Sequence, residues 1–258
     1  MTYMTQIAQK NTIDLTLFVP CFNEEENIVA TLDTIREAMP ELKDIDYEVL
    51  VTDDGSHDRT SILVEEQIAM HPEFPIFLHR NPNNMGLSHS FVDAAFRGKG
   101  KYFFLVWGDN VTPKENLFSM LSLLGRADII IPYFPKVIGK SAYRMGISNL
   151  YTWIVNTLSG NSIKYYNGSA LFERYHVMRW APNGSGFSGF LAFLITQLLS
   201  MNATYMEIAL IGKHTQKIKK NSPLTIRNWF STLHTLSEIL IRRLSLIFQE
   251  PYKKPKLH

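Results

Sequence analysis

Five short apolar, β-prone runs alternate along this chain with stretches of helical period. The runs are Leu15 to Pro20, Tyr47 to Thr52, Ile76 to His79, Tyr102 to Val106 and Asp128 to Pro132, and the helical stretches are Glu24 to Met39, Asp58 to Met70, Ser88 to Arg97 and Lys114 to Leu124. Strands separated by helices are too far apart to close as hairpins. They pair in parallel, with helices over both faces. The alternation therefore predicts an α/β domain with a Rossmann-like, mainly parallel sheet flanked by helices. In open sheets of this kind ligands bind beyond the carboxyl ends of the strands, so polar residues at those ends are the first candidates for function.

Three of those ends are loaded with polar chemistry. The first strand runs into Pro20-Cys21-Phe22-Asn23-Glu24-Glu25, the second into Asp53-Asp54-Gly55-Ser56-His57-Asp58-Arg59-Thr60, and the fourth into Trp107-Gly108-Asp109-Asn110. In the second, two carboxylates end a buried strand, a glycine permits a tight turn, and Ser56 or Asp58 is placed to cap the next helix. A carboxylate at a strand end accepts well from ribose hydroxyls or a base N–H. Asn81 to Ser88 precedes a helix whose free N–H groups and positive dipole end suit an anion. Asp109 is placed to hold a divalent ion against a diphosphate, since magnesium commonly takes one or two protein carboxylates and fills its other positions with phosphate oxygens and water.

With 45% hydrophobic residues in 258, the chain has material for one sizeable core. We divide it into a domain over 1–223 and a basic amphipathic C-terminal helix and tail over 224–258. The single cysteine, Cys21, excludes an internal disulfide and a zinc module and fits a reducing, cytoplasmic setting. The polar N-terminus and the lack of about 20 consecutive apolar residues predict a chain that is neither exported nor membrane-spanning. A net charge of +2 argues against nucleic-acid binding. The charge is uneven, however. Ten Lys or Arg against two acids from Lys213 to His258 give that end +8 and leave −6 before it. Leu224 to Phe248 carries Ile226, Phe230, Leu233, Leu236 or Leu240, Leu244 and Ile247 along one stripe, and Ala142 to Leu158 is rich in Tyr, Trp, Ile and Leu. Such helices pack on the domain, lie in a membrane interface, or bury themselves against a second subunit in a homo-oligomer.

Taken together, Val19 to Ile28, Tyr47 to Thr60, Asn84 to Asn110 and Tyr166 to Phe172 resemble family 2 glycosyltransferases of the GT-A fold, and among them the polyprenyl-phosphate, dolichyl-phosphate-mannose-synthase-like sugar transferases. The likeness runs from about residue 15 to 215. It implies a hexose passed from a nucleoside diphosphate sugar to a polyprenyl phosphate or a saccharide, with Mg2+ or Mn2+, at the inner face of a membrane. It implies that Pro20, Asn23, Glu24, Asp53, Asp54 and Gly86 line the donor nucleotide pocket and that Asp109 binds the metal. Arg144 and Ser148 resemble residues that meet the acceptor phosphate, Asn167 belongs with the acceptor, and Lys219 lies in a basic stretch, Lys213 to Lys220, where relatives place a loop over the donor diphosphate. The family's Asp-X-Asp is here Trp107-Gly108-Asp109. That departure implies a more weakly held ion, and it leaves open a nucleotide-sugar-binding protein without turnover beside a transferase building surface polysaccharide or glycolipid.

Overall fold

Residues of the first strand, β1 (Leu15–Cys21), serve opposite faces: Leu15, Leu17, Val19 and Cys21 enter one core cluster and Phe18 enters the other. A strand buried on both sides has no polar face to show, which is why the run reads as continuously apolar. The same division recurs in β4 (Tyr102–Leu105), where Phe104 joins the first cluster and Phe103 and Leu105 the second. The computed structural model describes residues 13–138, 142–180, 189–213 and 226–248. With β2 (Tyr47–Asp53), β3 (Ile76–Arg80), β5 (Ile129–Ile138), β6 (Leu171–Glu173) and β7 (Tyr205–Lys213), the described residues form a seven-stranded sheet in the order β3-β2-β1-β4-β6-β5-β7. Only β6 runs antiparallel to its neighbours, β4 and β5.

Three helices supply the first cluster: α1 (Ile28–Ala38) through Ile28, Leu32 and Ile35, α2 (Thr60–Met70) through Val64, and α4, described next, through Leu117 and Met120. Between α2 and α4 (Lys114–Leu121) lies α3 (Leu87–Arg97), whose Phe91, Ala94 and Ala95 enter the second cluster. That cluster is completed by α5 (Ala142–Ser159), α6 (Arg174–Trp180), α7 (Phe190–Ser200) and α8 (Ile226–Phe248). The chain builds outward from β1 to β3, then crosses back to lay β4 on the other side of β1. The crevice beyond the carboxyl ends of β1 and β4 is thus the switch point of the sheet.

Several boundaries differ from the sequence expectation for physical reasons. Helix α1 starts at Ile28 rather than Glu24, because residues 24–27 form a turn in which Glu24 O takes the Asn27 and Ile28 N–H groups and Asn27, at φ −125°, leaves the helical conformation. Strand β5 does not stop at Pro132 but continues to Ile138, with a register shift against β7 between Tyr133 and Lys136 that accommodates its prolines. Strands β6 and β7 are absent from the expectation. Three residues carry too little pattern, and Tyr205–Lys213 lacks a flanking turn signal.

Helix α5 keeps its expected span to within a residue, and α8, described from Ile226 to Phe248, turns much of its apolar stripe outward, one of the directions the sequence left open. Among its described side chains Thr235 and Ile239 are buried, and the Arg242 guanidinium lies 4.1 Å over the Phe193 ring. Phe230, Leu233, Leu240, Ile241 and Leu244 face outward. Helix α5 packs on α8 and likewise exposes Tyr143, Met145, Leu150 and Trp153. The described part of α8 packs on α5 and α7, and the expected boundary at residue 223 lies outside the described residues.

Candidate active site

The loops after β1 and β2 are interlocked. Asn23 takes a left-handed conformation, at φ 53°, which an asparagine tolerates better than most residues. Its N–H then donates to Ser56 Oγ at 2.9 Å, while its own Oδ1 accepts from the His57 N–H at 2.9 Å. Glu24 N–H donates to Thr60 Oγ1 at 2.8 Å, Glu25 N–H to Asp58 Oδ2 at 3.2 Å, and Arg59 N–H to Glu25 Oε2 at 3.1 Å. Ser56 is therefore spent on the first loop and does not cap α2. Asp58 meets that helix instead, accepting the Thr60 N–H at 3.0 Å. Cys21 sits beneath, its thiol donating to Thr52 O at 3.4 Å. Burial, reinforced by Asp53 and Glu24, pushes that thiol well up, so it is no nucleophile.

Asp53 and Asp54 are both buried, and both are engaged by protein donors. Asp53 Oδ1 accepts the Ser56 N–H at 2.9 Å and its Oδ2 the Ser61 hydroxyl. Asp54 takes Asn81 Nδ2 at 2.7 Å, Met85 N at 2.9 Å and Ser90 Oγ at 3.2 Å on Oδ1, and Gly86 N at 2.8 Å on Oδ2. Four donors match the capacity of one carboxylate. Gly86 joins the site by that bond, at φ 89°, one residue before α3. Gly55, at φ 77°, lies so close to this loop that a Cβ would come within 2.7 Å of Asn83. Asp54 and Gly55 thereby lock the Asn81 to Gly86 segment against the first two loops. Asn81 and Ser90 were missed as site residues. The signal was a carboxylate that needed donors.

The end of β4 closes the other side of the crevice. A Cβ on Gly108 would lie 2.6 Å from Pro20 O, so only glycine lets the segment press against β1. Thr31 Oγ1 donates to Gly108 O at 3.0 Å, and Thr34 Oγ1 to Asn110 Oδ1 at 3.2 Å. These contacts set Asp109 beside Pro20 and the interlocked loops. Among the described residues no three His, Cys, Asp or Glu side chains gather to hold a metal ion.

Trp107, two residues before Asp109, borders a cavity of about 350 Å3 that also takes in Tyr165, Asn167 and Ser169. Ser148, on α5, reaches the same neighbourhood through a hydrogen bond with the Tyr165 hydroxyl, whose pKa burial raises. Arg144 lies one helical turn before Ser148. Pro20, Asn23, Glu24, Asp53, Asp54, Gly86 and Asp109 thus gather around the crevice, while Asn167 lines the cavity beside Trp107 and Ser148 is tied to Tyr165 of the same lining. Lys219 lies outside the described residues. The cavity itself, built from β4, β5, β7 and the loop before β6, has no local motif and was not expected.

The chain is similar to known proteins in sequence and in fold. The chain is 31% identical over 113 residues to the dolichyl-phosphate beta-glucosyltransferase of Dictyostelium discoideum, a match covering 41% of this chain and 35% of that protein. It is 25% identical over 146 residues to the dolichol-phosphate mannosyltransferase of Pyrococcus furiosus, covering 51% and 40%. The matches thus span little more than a third of the length of these curated relatives. The mannosyltransferase of Pyrobaculum calidifontis, solved with GDP-Man and Mn2+, superposes with a TM-score of 0.58 at 16% identity over 93% of this chain and 66% of its own. That likeness confirms the expected GT-A architecture. The family profile described as glycosyl transferase family 2 matches residues 16–187, a span holding every loop of the crevice, and the chain belongs to that family.

Proposed function

We propose that this protein transfers a hexose from a nucleoside diphosphate sugar to a membrane-associated polyprenyl phosphate. The reading is carried by the crevice at the sheet's switch point, where Asp109 stands beside two interlocked loops and a third loop tied down by Asp54. Pro20, Asn23 and Glu24 form one wall for the nucleoside and the Asn81 to Gly86 segment the other. Asp53 and Asp54 hold these walls in shape. Relatives named for dolichyl phosphate supply the acceptor class.

A lone carboxylate at Asp109 fits a Mg2+ or Mn2+ ion held jointly by the protein and the donor diphosphate. When bound, the ion neutralises charge on the departing diphosphate. An acceptor phosphate oxygen, already anionic, attacks the anomeric carbon as its bond to the diphosphate breaks, and the bonding electrons leave with the nucleoside diphosphate. No general base is required for that nucleophile. Ser148, Asn167 and Arg144 orient the acceptor phosphate, and Lys219 adds positive charge near the leaving group.

The outward faces of α5 and α8 support membrane contact. Phe230 is 69% exposed and Trp153 64%, and among the described residues no helix is long and apolar enough to span a membrane. Both helices are the kind that lie flat in an interface. We place the protein on the inner face of the membrane.

The test is thermal unfolding of the purified chain with UDP-, GDP- and TDP-sugars, each with and without manganese or magnesium. A donor at about 100 times its dissociation constant adds roughly 2.7 kcal/mol, a shift of several degrees at this size. The bound donor is then offered to vesicles containing a polyprenyl phosphate. Label passing to the lipid supports the proposal. Donor binding without transfer to any lipid or saccharide would instead support the silent reading that Trp107 motivates, and no donor binding at all would overturn both.

A further inference from the structure

The cavity beside Trp107 divides by chemistry. Three of its polar groups can donate to an anion: the Thr112 hydroxyl, the Asn167 amide and the indole N–H of Trp107. Asn116 is spent on β7, its Nδ2 donating to Ile211 O at 2.7 Å and its Oδ1 accepting the Ile211 N–H at 3.3 Å. Much of the remaining wall is hydrocarbon, with Phe104 from β4, Met120 from α4, Phe134 and Val137 from β5, and Leu210 and Ile211 from β7. A volume of about 350 Å3 is near the lower limit of ligand pockets, roughly 300 Å3, so it takes the head of a long ligand and not its length. Two observations bear on where the length would go. Ile211 is 63% exposed on β7, the edge strand of the sheet, so the wall of the cavity reaches that edge. Strand β5 ends at Ile138 and α5 begins at Ala142, and that helix exposes Tyr143 and Ile147 in its first turns. Hydrocarbon thus leads from Trp107 toward the outward face of α5.

We propose that this cavity holds the isoprene units next to the acceptor phosphate and that Trp107 is a specificity-determining residue, selecting a prenyl phosphate over a saccharide. The phosphate meets the donors of Thr112, Asn167 and Trp107, and the chain runs along the apolar wall toward α5. An indole where the family motif has a carboxylate suits both parts of such a ligand. It gives the chain an apolar face, and it keeps a negative charge away from an anionic nucleophile, since like charges at close range repel strongly where water is scarce. Burial of apolar surface favours the chain unit by unit, as far as the wall extends. This inference rests on the polyprenyl phosphate reading of the acceptor.

Binding of dimethylallyl, geranyl and farnesyl phosphate, which carry one, two and three isoprene units, can be measured by calorimetry on the whole chain with manganese and each of UDP, GDP and TDP. Geranyl phosphate should bind roughly 10-fold or more tightly than dimethylallyl phosphate, and the third unit of farnesyl phosphate should add less than the second. Leu210→Asn and Trp107→Asp should each bring geranyl phosphate down to the level of dimethylallyl phosphate, while Trp107→Phe keeps the gain. Should those variants fail to fold, Ile211→Asp, at the exposed rim of the cavity, should still remove most of it. Equal affinities along the series would overturn the inference and leave the acceptor phosphate reading standing. A gain that survives Leu210→Asn but vanishes in the triple variant Phe230→Ser, Ile241→Ser, Leu244→Ser would place the chain on α8 and overturn it too. So would displacement of geranyl phosphate by a nucleoside diphosphate sugar but not by the bare diphosphate, which would give the cavity to the donor sugar. If no phosphate of the series binds, the acceptor reading falls and takes this inference with it.

Discussion

Asp54 is a charge kept inside the protein, and the four donors around it decide its effect. Burying a carboxylate is costly unless its oxygens are satisfied, and here three donors belong to the segment that closes the third side of the crevice and the fourth, Ser90, to the helix α3 that follows it. Asp54→Asn keeps the size and the oxygen that takes three donors but turns an amide N–H2 toward the Gly86 N–H, and it removes the charge from all four bonds. Hydrogen bonds to charged groups are worth about 1.5–3 kcal/mol each, so the variant should lose on the order of 2–3 kcal/mol. At this length that lowers the unfolding midpoint by roughly 5–10 °C. An unchanged midpoint in calorimetry would mean the segment is anchored elsewhere. Asp109→Ala tests a different duty, because Thr31 and Thr34 hold the neighbouring Gly108 and Asn110 and Gly108 presses against Pro20. Its midpoint without ligand should fall less than that of Asp54→Asn. The extra stabilisation that manganese gives to a bound donor should vanish, and its survival would remove Asp109 from the metal site. Motif spacing made Asp53 and Asp54 visible, but not their separate duties, since a run of two aspartates cannot say that one holds its own turn and the other the Asn81 to Gly86 segment.

At the scale of elements, α8 shows why a helical stripe read from sequence does not fix its own direction. Period alone placed Phe230, Leu233 and Leu244 on one side, yet the core takes Thr235 and Ile239 and leaves that side uncovered. The choice rests on what α5 and α7 offer, a ring for Arg242 to stack on and room for Ile239, and those partners are remote in sequence. Replacing Phe230, Ile241 and Leu244 with serine should leave the thermal midpoint nearly unchanged and cut binding to anionic vesicles at least 10-fold in a sedimentation assay. A midpoint falling by many degrees with vesicle binding intact would instead show that this face is covered within the protein or by a second copy. The strands with strong local pattern, β1 to β4, were legible nearly to the residue, whereas β6 and β7 exist because β4 and β5 present edges to them. The start of β5 and the approach to β7 are joined by Asp128, whose Oδ2 accepts the Thr204 hydroxyl and N–H, each at 2.7 Å. These bonds, the hydroxyl's first, hold its pKa below the ordinary carboxylate value. A depressed pKa stabilises the fold above the unfolded value of about 3.9, and that contribution is lost as pH falls through the folded value. The stability gap between the parent and Asp128→Asn should therefore be constant above about pH 5 and close below pH 4. A gap that ignores pH in urea titrations would exclude the carboxylate as its source.

For the whole molecule, charge and apolar surface lie at the same end of the chain and respond to different variables. The +8 from Lys213 to His258 opposes a −6 remainder, so an anionic surface attracts the C-terminal stretch of the sequence and repels the acidic remainder. Each basic residue near such a surface contributes about 1 kcal/mol, screened over a Debye length near 8 Å at physiological salt and 3 Å at 1 M. Apolar insertion by Phe230, Trp153 and their neighbours carries no such screening. Vesicle binding measured from low to high salt should then fall steeply and level off at a residual set by the helices, and the serine variant of α8 should remove that residual while keeping the slope. Binding that drops to zero at 1 M salt in the parent would mean that charge alone brings the protein to the membrane. In that case the exposed faces of α5 and α8 would have to be covered by protein, and the sedimentation profile of the free chain should then shift from monomer to dimer at the concentrations used.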